Sequence, residues 1–366
     1  MTLRGKTILF IGGGRETLSA LDTARDLGVS VVVIDGDGKG CDAARAGYQC
    51  LQASTYDAQS CVAAAKVAQL KGQLFDGVTS VATDCAFTVA VLASELGLPG
   101  LSPGSALIAS NKVLLKEFLS AQGVQTPSGE ACGDLDELDL ALRKINFPCV
   151  LKPADSRGSR GVFLVRTGEE ARIYFPKTLS FSPTGTVLVE EFLEGLQFSS
   201  ESAIVEGRPF TLGISTRNYE LLPWTWPEIV EDGGTLPAAM GLGMEKQLAK
   251  DLENIAFGLG MQNGTIKGDL VVNNGQLIWI ELAVRASGGY FATHEIPLST
   301  GINFVEILLK LAVGATIRPE ELLHNSKQYV CQRYLFSQSP EDVQICPPDL
   351  ASGEVGVLFY SDFVSN

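Results

Sequence analysis

Several common chemistries are missing from this sequence. Its eight cysteines (41, 50, 61, 85, 132, 149, 331 and 346) include no Cys-x-x-Cys pair, which leaves zinc and dithiol redox motifs unsupported. Scattered through apolar runs, they read as buried thiols of a cytosolic protein. Positive charge is scarce: 28 Lys and Arg stand against 42 Asp and Glu, a net charge of −14. That argues against the basic face a nucleic acid needs and against an anionic membrane surface, while still allowing a local basic site for an anionic ligand. No apolar run reaches the roughly 18 residues expected of a membrane span. The opening MTLRGKTILFIGGG goes straight into a strand and a glycine turn, with no secretory cleavage pattern. A cytoplasmic protein without membrane or nucleic-acid partners is expected. Only two histidines are present.

What is there points to a globular chain with a substantial core. Its 366 residues suffice for two or three domains, and 45% of them are hydrophobic. Lys6 to Ile11 reads as a buried strand, followed by Gly12-Gly13-Gly14-Arg15-Glu16, a helix from Leu18 to Leu27 and a strand from Val31 to Ile34. This is a βαβ unit. A dinucleotide fingerprint needs a third glycine, which is absent, although Asp35 falls at the spacing of about 20 such sites use. A loop that packs helix on strand, or holds a substrate at the strand ends, is the better expectation. Helices at 58–70 and 87–96 with a strand from Gly77 to Val81 continue the alternation. Thr83 and Asp84 follow a strand's carboxyl end, as ligand residues or as a helix cap. Leu98 to Ser105, with two prolines, reads as a linker.

Two basic stretches follow. Lys112 opens a helix whose apolar face is Leu114, Leu115, Phe118 and Leu119, ending at Gly123. A cation at a helix start opposes the helix dipole, which an anion at the same place would explain; a plain surface lysine is the alternative. Lys152 ends a short buried strand, and the loop Asp155 to Gly161 carries Ser156, Arg157, Gly158, Ser159, Arg160 and Gly161. Such a loop brings backbone N–H groups and two guanidinium groups around phosphates, or else is a flexible hairpin tip. It is not a Walker loop, since no Gly-Lys-Ser/Thr follows. Next, Thr186 to Gln197 gives a strand that breaks at Glu190-Glu191 and restarts after Gly195. Its end could offer backbone groups to an adenine edge, with Glu194 or Gln197 in reach of a ribose.

The most informative stretch is GTIKGDLVVNNGQLIWIELAVRASGG, residues 264–289. It reads as two strands joined at Asn273-Asn274-Gly275. With a three-residue loop, residue 272 pairs with 276 and 269 with 279. Asp269, Glu281, Ala283 and Arg285 then share one face. Two carboxylates converging on a half-buried face form a hard-oxygen site suited to Mg²⁺. An edge hairpin with solvated charges is the alternative, and a two-residue turn would put Asp269 and Glu281 on opposite faces.

Taken in order, Asn111-Lys112, Lys152 with its glycine loop, Glu190-Glu191-Phe192-Leu193, Asp269 and Glu281-x-x-x-Arg285 resemble the ATP-grasp superfamily, a likeness that reaches to about residue 315. The resemblance implies an α/β protein: an open parallel-sheet domain over 1–105, then an ATP-grasp fold of two α+β subdomains over 106–316. The nucleotide would lie between the subdomains, under a lid at about 130–200. A small α/β segment is expected over 317–366, with strands at Tyr329 to Phe336 and Val355 to Phe359, the latter soon before the sequence stops at Asn366. By resemblance, Lys112 and Lys152 hold ATP phosphates and residues 156–161 close over them. Residues 190–193 meet adenine, Gln197 takes the ribose position, Asp269 and Glu281 hold Mg²⁺ (or Mn²⁺), and Arg285 steadies a phosphorylated intermediate. The family often has Asn where Ala283 stands, so one metal ligand is missing. Glu-Leu-Ala-Val-Arg-Ala-Ser-Gly-Gly, with Tyr290 and His294 after it, looks like a subset of carboxylate–amine ligases. That implies small carboxylate and amine substrates and an acyl-phosphate route; a homodimer is also expected, the C-terminal strands either closing the active site or serving a dimer contact. Ser287, Gly288 and Gly289 would lie near the reacting carbonyl, His294 would be a substrate contact or a helix cap, and Arg217 would pair a substrate carboxylate. A bicarbonate-phosphorylating carboxylase and a non-catalytic nucleotide-binding protein are the alternatives.

Overall fold

The structure, a computed structural model, describes residues 2–334. The strands expected at Val355 to Phe359 and the end of the one expected at Tyr329 to Phe336 lie outside the described residues.

β1 (Thr7–Ile11), β2 (Ser30–Asp35), β3 (Gln49–Gln52) and β4 (Gly77–Thr79) make a parallel sheet in the order β3-β2-β1-β4. Helices Leu18–Asp26, Ala58–Leu70 and Ala86–Leu96 connect or follow them. Ile8, Leu9, Phe10 and Ile11 are wholly buried, as a strand covered on both faces must be. Gly12, at φ +97°, lets the end of β1 pass against Thr83; a Cβ there would lie 2.1 Å from the Thr83 hydroxyl. Asp35 accepts the Gly13 and Asp37 amides at 2.8 and 3.0 Å. Its place at the end of β2 is thereby explained as turn-building. The stretch read as a linker is partly helical, because Pro103 sits at the first turn of helix Pro103–Ser110, where its missing N–H costs nothing.

β5 (Gly129–Cys132), β6 (Cys149–Pro153), β7 (Phe163–Val165) and β8 (Val187–Glu191) form an antiparallel sheet in the order β5-β8-β6-β7. It has its own core against helices Leu135–Ala141 and Gly168–Ser180. The chain goes on through β9 (Leu196–Val205), β10 (Arg208–Arg217), β11 (Gly233–Leu236), β12 (Gly264–Asn273), β13 (Gln276–Ala283) and β14 (Val330–Arg333). The first two and β12–β13 build a second antiparallel sheet, ordered β10-β9-β12-β13, while β11 pairs with β14.

Alternation gives this second sheet one apolar and one polar face. Ile266, Leu270, Leu277, Trp279 and Leu282 are buried with Leu248, Leu252 and Ile255 of helix Leu242–Gly258. Trp279 also donates from its indole to Asp251 at 3.0 Å, so its one polar atom is met inside the core. The excursion between β10 and β11 docks on the other antiparallel sheet. Leu164 donates its amide to Pro227 at 2.8 Å, and the Arg166 guanidinium lies 3.7 Å from the Trp226 ring centre.

Candidate active site

The hairpin turn corrects the sequence reading. Asn273 pairs with Gln276, so the loop is the two residues Asn274-Gly275, both at positive φ (49° and 75°). That turn alone would separate Asp269 from Glu281. A bulge reverses the effect: Leu270 pairs with Trp279 while Asp269 pairs with Glu281, leaving Ile280 as the extra residue. Two shifts in phase cancel, and the carboxylates stand directly opposite each other. Opposed positions put Cβ atoms about 5 Å apart.

Register extends the same face across the sheet. Asp269 faces Ser199 on β9, Ser199 faces Ser215 on β10, and Lys267 faces both Glu201 and Ala283. Arg217 lies opposite Gln197. Asp269 is held by Arg217 at 2.5 Å, by Lys267 at 2.6 Å and by the Ser199 hydroxyl at 3.3 Å. Burial by itself would raise this carboxyl, but Arg217 and Lys267 outweigh burial and hold it well below the usual range. Arg217 also pairs with Glu231. Burial opposes the Arg217 charge, yet Asp269 and Glu231 keep it cationic. Lys112 reaches Glu281 at 3.2 Å and the Ser156 carbonyl at 2.8 Å, joining the hairpin to the glycine loop.

The donor set suits Mg²⁺. Two adjacent carboxylates, one half-exposed, offer hard oxygens, and the ion commonly fills its remaining positions with water and phosphate. Among the described residues no third His, Cys, Asp or Glu completes an all-protein cage, which agrees with alanine at 283.

A cleft between the two antiparallel sheets is lined by Lys112, Lys116, Lys152, Glu190, Leu188 and the bulged Ile280. Glu190 is 2% exposed and pairs with Lys152 and, at 2.6 Å, with Lys116. Burial lowers the Lys116 ammonium, and Glu190 opposes that. Two cations against one buried carboxylate leave a positive charge in an otherwise acidic protein, a setting for phosphate. The Glu190 side chain, expected near adenine, is thus occupied by lysines. Glu191 accepts the Ser128 amide at 2.7 Å, and Phe192 and Leu193 follow at the strand's end, half-buried. In the glycine loop, Gly158, Ser159 and Gly161 all have positive φ, and Arg157 lies 4.3 Å from the Tyr56 ring centre of the first sheet's domain.

Arg285 reaches across domains. Its Nε donates to Asp84 at 2.6 Å, beside a bridge between Val81 and Ala286 that ties β4's extension to the segment after β13. Asp84 is therefore an arginine partner; helix Ala86–Leu96 has no side-chain cap. In the following loop the Ser287 amide and hydroxyl donate to Glu201, and the Gly289 amide donates to Glu16 at 2.6 Å. Gly288 is close-packed against Glu16 and Ala82. These two bonds occupy amides expected to face a reacting carbonyl. His294 is half-buried in the turn Phe291–Glu295, edge-on to Tyr290, with Nδ1 at 2.9 Å from the Thr293 hydroxyl. Burial lowers its pKa.

Lys116, Lys267 and Glu201 carry no site reading from sequence, whereas Asp84 reads as a ligand residue or cap and Glu16 as part of a glycine loop, neither with its partner. Spacing could have flagged three of them: Lys116 is one helical turn past Lys112, Lys267 is two before Asp269, and Glu201 shares parity with Gln197. Nothing local connects Asp84 to Arg285.

Two family descriptions match parts of the chain. Residues 110–223 match the family described as phosphoribosylglycinamide synthetase, ATP-grasp (A) domain, and residues 21–100 match the ATP-grasp N-terminal domain. Carnosine synthase 1 of Mus musculus is 24% identical over 339 residues, 85% of this chain and 40% of that protein. Dapdiamide A synthase of Enterobacter agglomerans is 25% identical over 261 residues, 65% of this chain and 58% of that protein. The chain thus covers less than two thirds of either relative. The crystal structure of L-amino acid ligase from Bacillus licheniformis aligns with a TM-score of 0.71 at 22% identity, over 87% of this chain and 76% of that one, a likeness of fold.

Proposed function

The chain belongs to the ATP-grasp superfamily, and from that premise we propose that it is an ATP-dependent carboxylate–amine ligase working through an acyl phosphate. One observation carries the reading: Asp269 and Glu281 stand side by side on a polar sheet face, with Lys112 on one and Arg217 on the other. The similar proteins are named as synthases and a ligase, which supports the same class of reaction.

In the first step a substrate carboxylate oxygen bonds to the terminal phosphorus of ATP as the bond to ADP breaks. The amine nitrogen then bonds to the acyl carbon, and the carbon–oxygen bond to phosphate breaks, releasing inorganic phosphate with the electron pair. Lys112, Lys116 and Lys152 take the phosphate charges. Asp269 and Glu281 would hold Mg²⁺, which supplies charge neutralisation on the phosphoryl oxygens when bound. Arg217 and Lys267 keep Asp269 ionised, and a metal ion would have to take over or share the oxygens they now hold. The Ser287 and Gly289 amides are bonded to glutamates, and the Arg285 guanidinium to Asp84 and the Ala286 carbonyl; Arg285, the cation among them, would stabilise the developing oxyanion by its charge. Closure of the 156–161 loop would exclude the water that hydrolyses an acyl phosphate.

The test is phosphate release over a grid of carboxylates and amines, with labelled bicarbonate as a separate arm. ADP and amide formed in equal amounts support the ligase. Label appearing in a carboxylated product replaces it with the carboxylase reading. Nucleotide binding without turnover on any pair replaces it with a binding protein.

A further inference from the structure

Glu201 is wholly buried in the middle of β9, on the polar face that carries Asp269. One carboxylate oxygen accepts both the Ser287 amide, at 3.1 Å, and the Ser287 hydroxyl. The other oxygen is buried and has no hydrogen-bond partner. The charged groups facing it are Lys267, across the strand pair, and Arg285. Lys267 is bonded to Asp269 and Arg285 to Asp84. Opposite on β10 stands Gly213, which brings no charge. A carboxylate with so much unmet acceptor capacity is costly to bury, and a fold with no use for it would be more stable with an apolar residue.

Ser287 lies two residues after Arg285, to which the ligase reading gives the acyl oxyanion, and is 4% exposed. Its hydroxyl hydrogen points to Glu201, so its lone pairs are left as acceptors. The Glu201 carboxyl is pushed up to about 7 by burial, partly offset by the two Ser287 donors, and thus titrates near neutrality.

We propose that Ser287 and Glu201 form a proton-accepting pair for the amine substrate, an assignment that rests on the ligase reading. An amine arrives as an ammonium ion and cannot attack until one proton leaves. That proton passes to the Ser287 oxygen as the serine's own proton moves to the Glu201 carboxylate. The freed lone pair bonds to the acyl carbon. The second nitrogen proton leaves with the departing phosphate as the amide forms. Glu201 acts through Ser287 and is a positioning residue; the serine touches the nitrogen.

Hydroxylamine separates this role from a structural one, because it is a nucleophile already unprotonated at neutral pH. The wild-type protein, Glu201→Gln and Ser287→Ala are given Mg-ATP and an equimolar mixture of the protein amino acids, with and without hydroxylamine. Amides and hydroxamates are counted by mass spectrometry. In both variants the ratio of amide to hydroxamate is expected to fall at least about tenfold. The rise of wild-type amide formation through pH about 7 should vanish in Glu201→Gln. An unchanged ratio, or equal falls in both products, overturns the pair while leaving the ligase standing. Wild-type protein that makes neither ADP nor hydroxamate overturns the ligase reading and the pair with it. Should Glu201→Gln not fold, Ser287→Ala decides alone.

Discussion

Two carboxylates, the buried Glu190 and the part-buried Asp269, are each gripped by two cations, yet the grips differ in reach. Glu190 sits on β8, one of its lysines on β6 of the same sheet and the other on helix Lys112–Ala121, which packs into the core of the other antiparallel sheet. Its ion pairs join two bodies. Asp269 is held from within one sheet, by Arg217 on β10 and Lys267 on its own strand, and Arg217 keeps a second partner in Glu231. The first arrangement fixes where the sheets meet. The second keeps a carboxylate ionised within a single sheet. Similar chemistry therefore joins two bodies in one place and, under the proposed function, serves ligand binding in the other.

The largest expected effect is on the first. Glu190→Ala leaves Lys116 and Lys152 buried without a counter-ion and should cost about 3–5 kcal/mol in urea unfolding. Asp269→Ala should cost clearly less, since Arg217 retains Glu231; equal losses would break the comparison.

For Asp269→Asn the expected loss is catalytic, about 10²–10³-fold in kcat at saturating Mg²⁺. A depressed carboxylate contributes stability above its unfolded pKa, about 3.9, and loses it as pH falls through its folded value. The Asn variant should lack that share of the acid-side loss, which unfolding curves between neutral and strongly acid pH will reveal.

Smaller again is the effect of Glu281→Gln, which keeps the side chain's shape but removes its charge. The Mg²⁺ concentration for half-maximal activity should rise about tenfold with the protein still folded. Ala283→Asn places an oxygen opposite Lys267 on the same face and should be tolerated, with the Mg²⁺ requirement equal or lower. Equal Mg²⁺ dependence in wild type and Glu281→Gln would mean the hairpin carries no metal.

The smallest expected change is in dynamics. Amide exchange across residues 156–160 should slow severalfold on adding Mg-ATP, because this stretch is half-buried to exposed, with contacts to Lys112 and Tyr56. Unaltered exchange would remove the lid from the mechanism.

Much of the site could be read from the chain because its parts are local. The buried run of β1, the helix opening at Lys112, and Lys152 ahead of its glycine loop are each set by a dozen residues or fewer. The hairpin shows the limit. Residue alternation says that Asp269 and Lys267 share a face, and that Glu281 and Ala283 do. It cannot say which face of one strand meets which of the other, because the turn and the bulge decide that together. The expected juxtaposition is present, but through a two-residue turn and an extra Ile280.

The sequence by itself determined the order of the elements, the polar and apolar faces of each strand, and the short set of charged residues from which a site could be made. These follow from periodicity and turn chemistry, which act over a few residues. Only the tertiary structure decided the partners: Asp84 for Arg285, Glu201 for Ser287, Glu16 for Gly289, and two lysines for Glu190. These pairs link positions up to 273 residues apart. Which of many carboxylates meets a given donor depends on how whole sheets pack, and burial then makes those few pairings strong enough to fix the site.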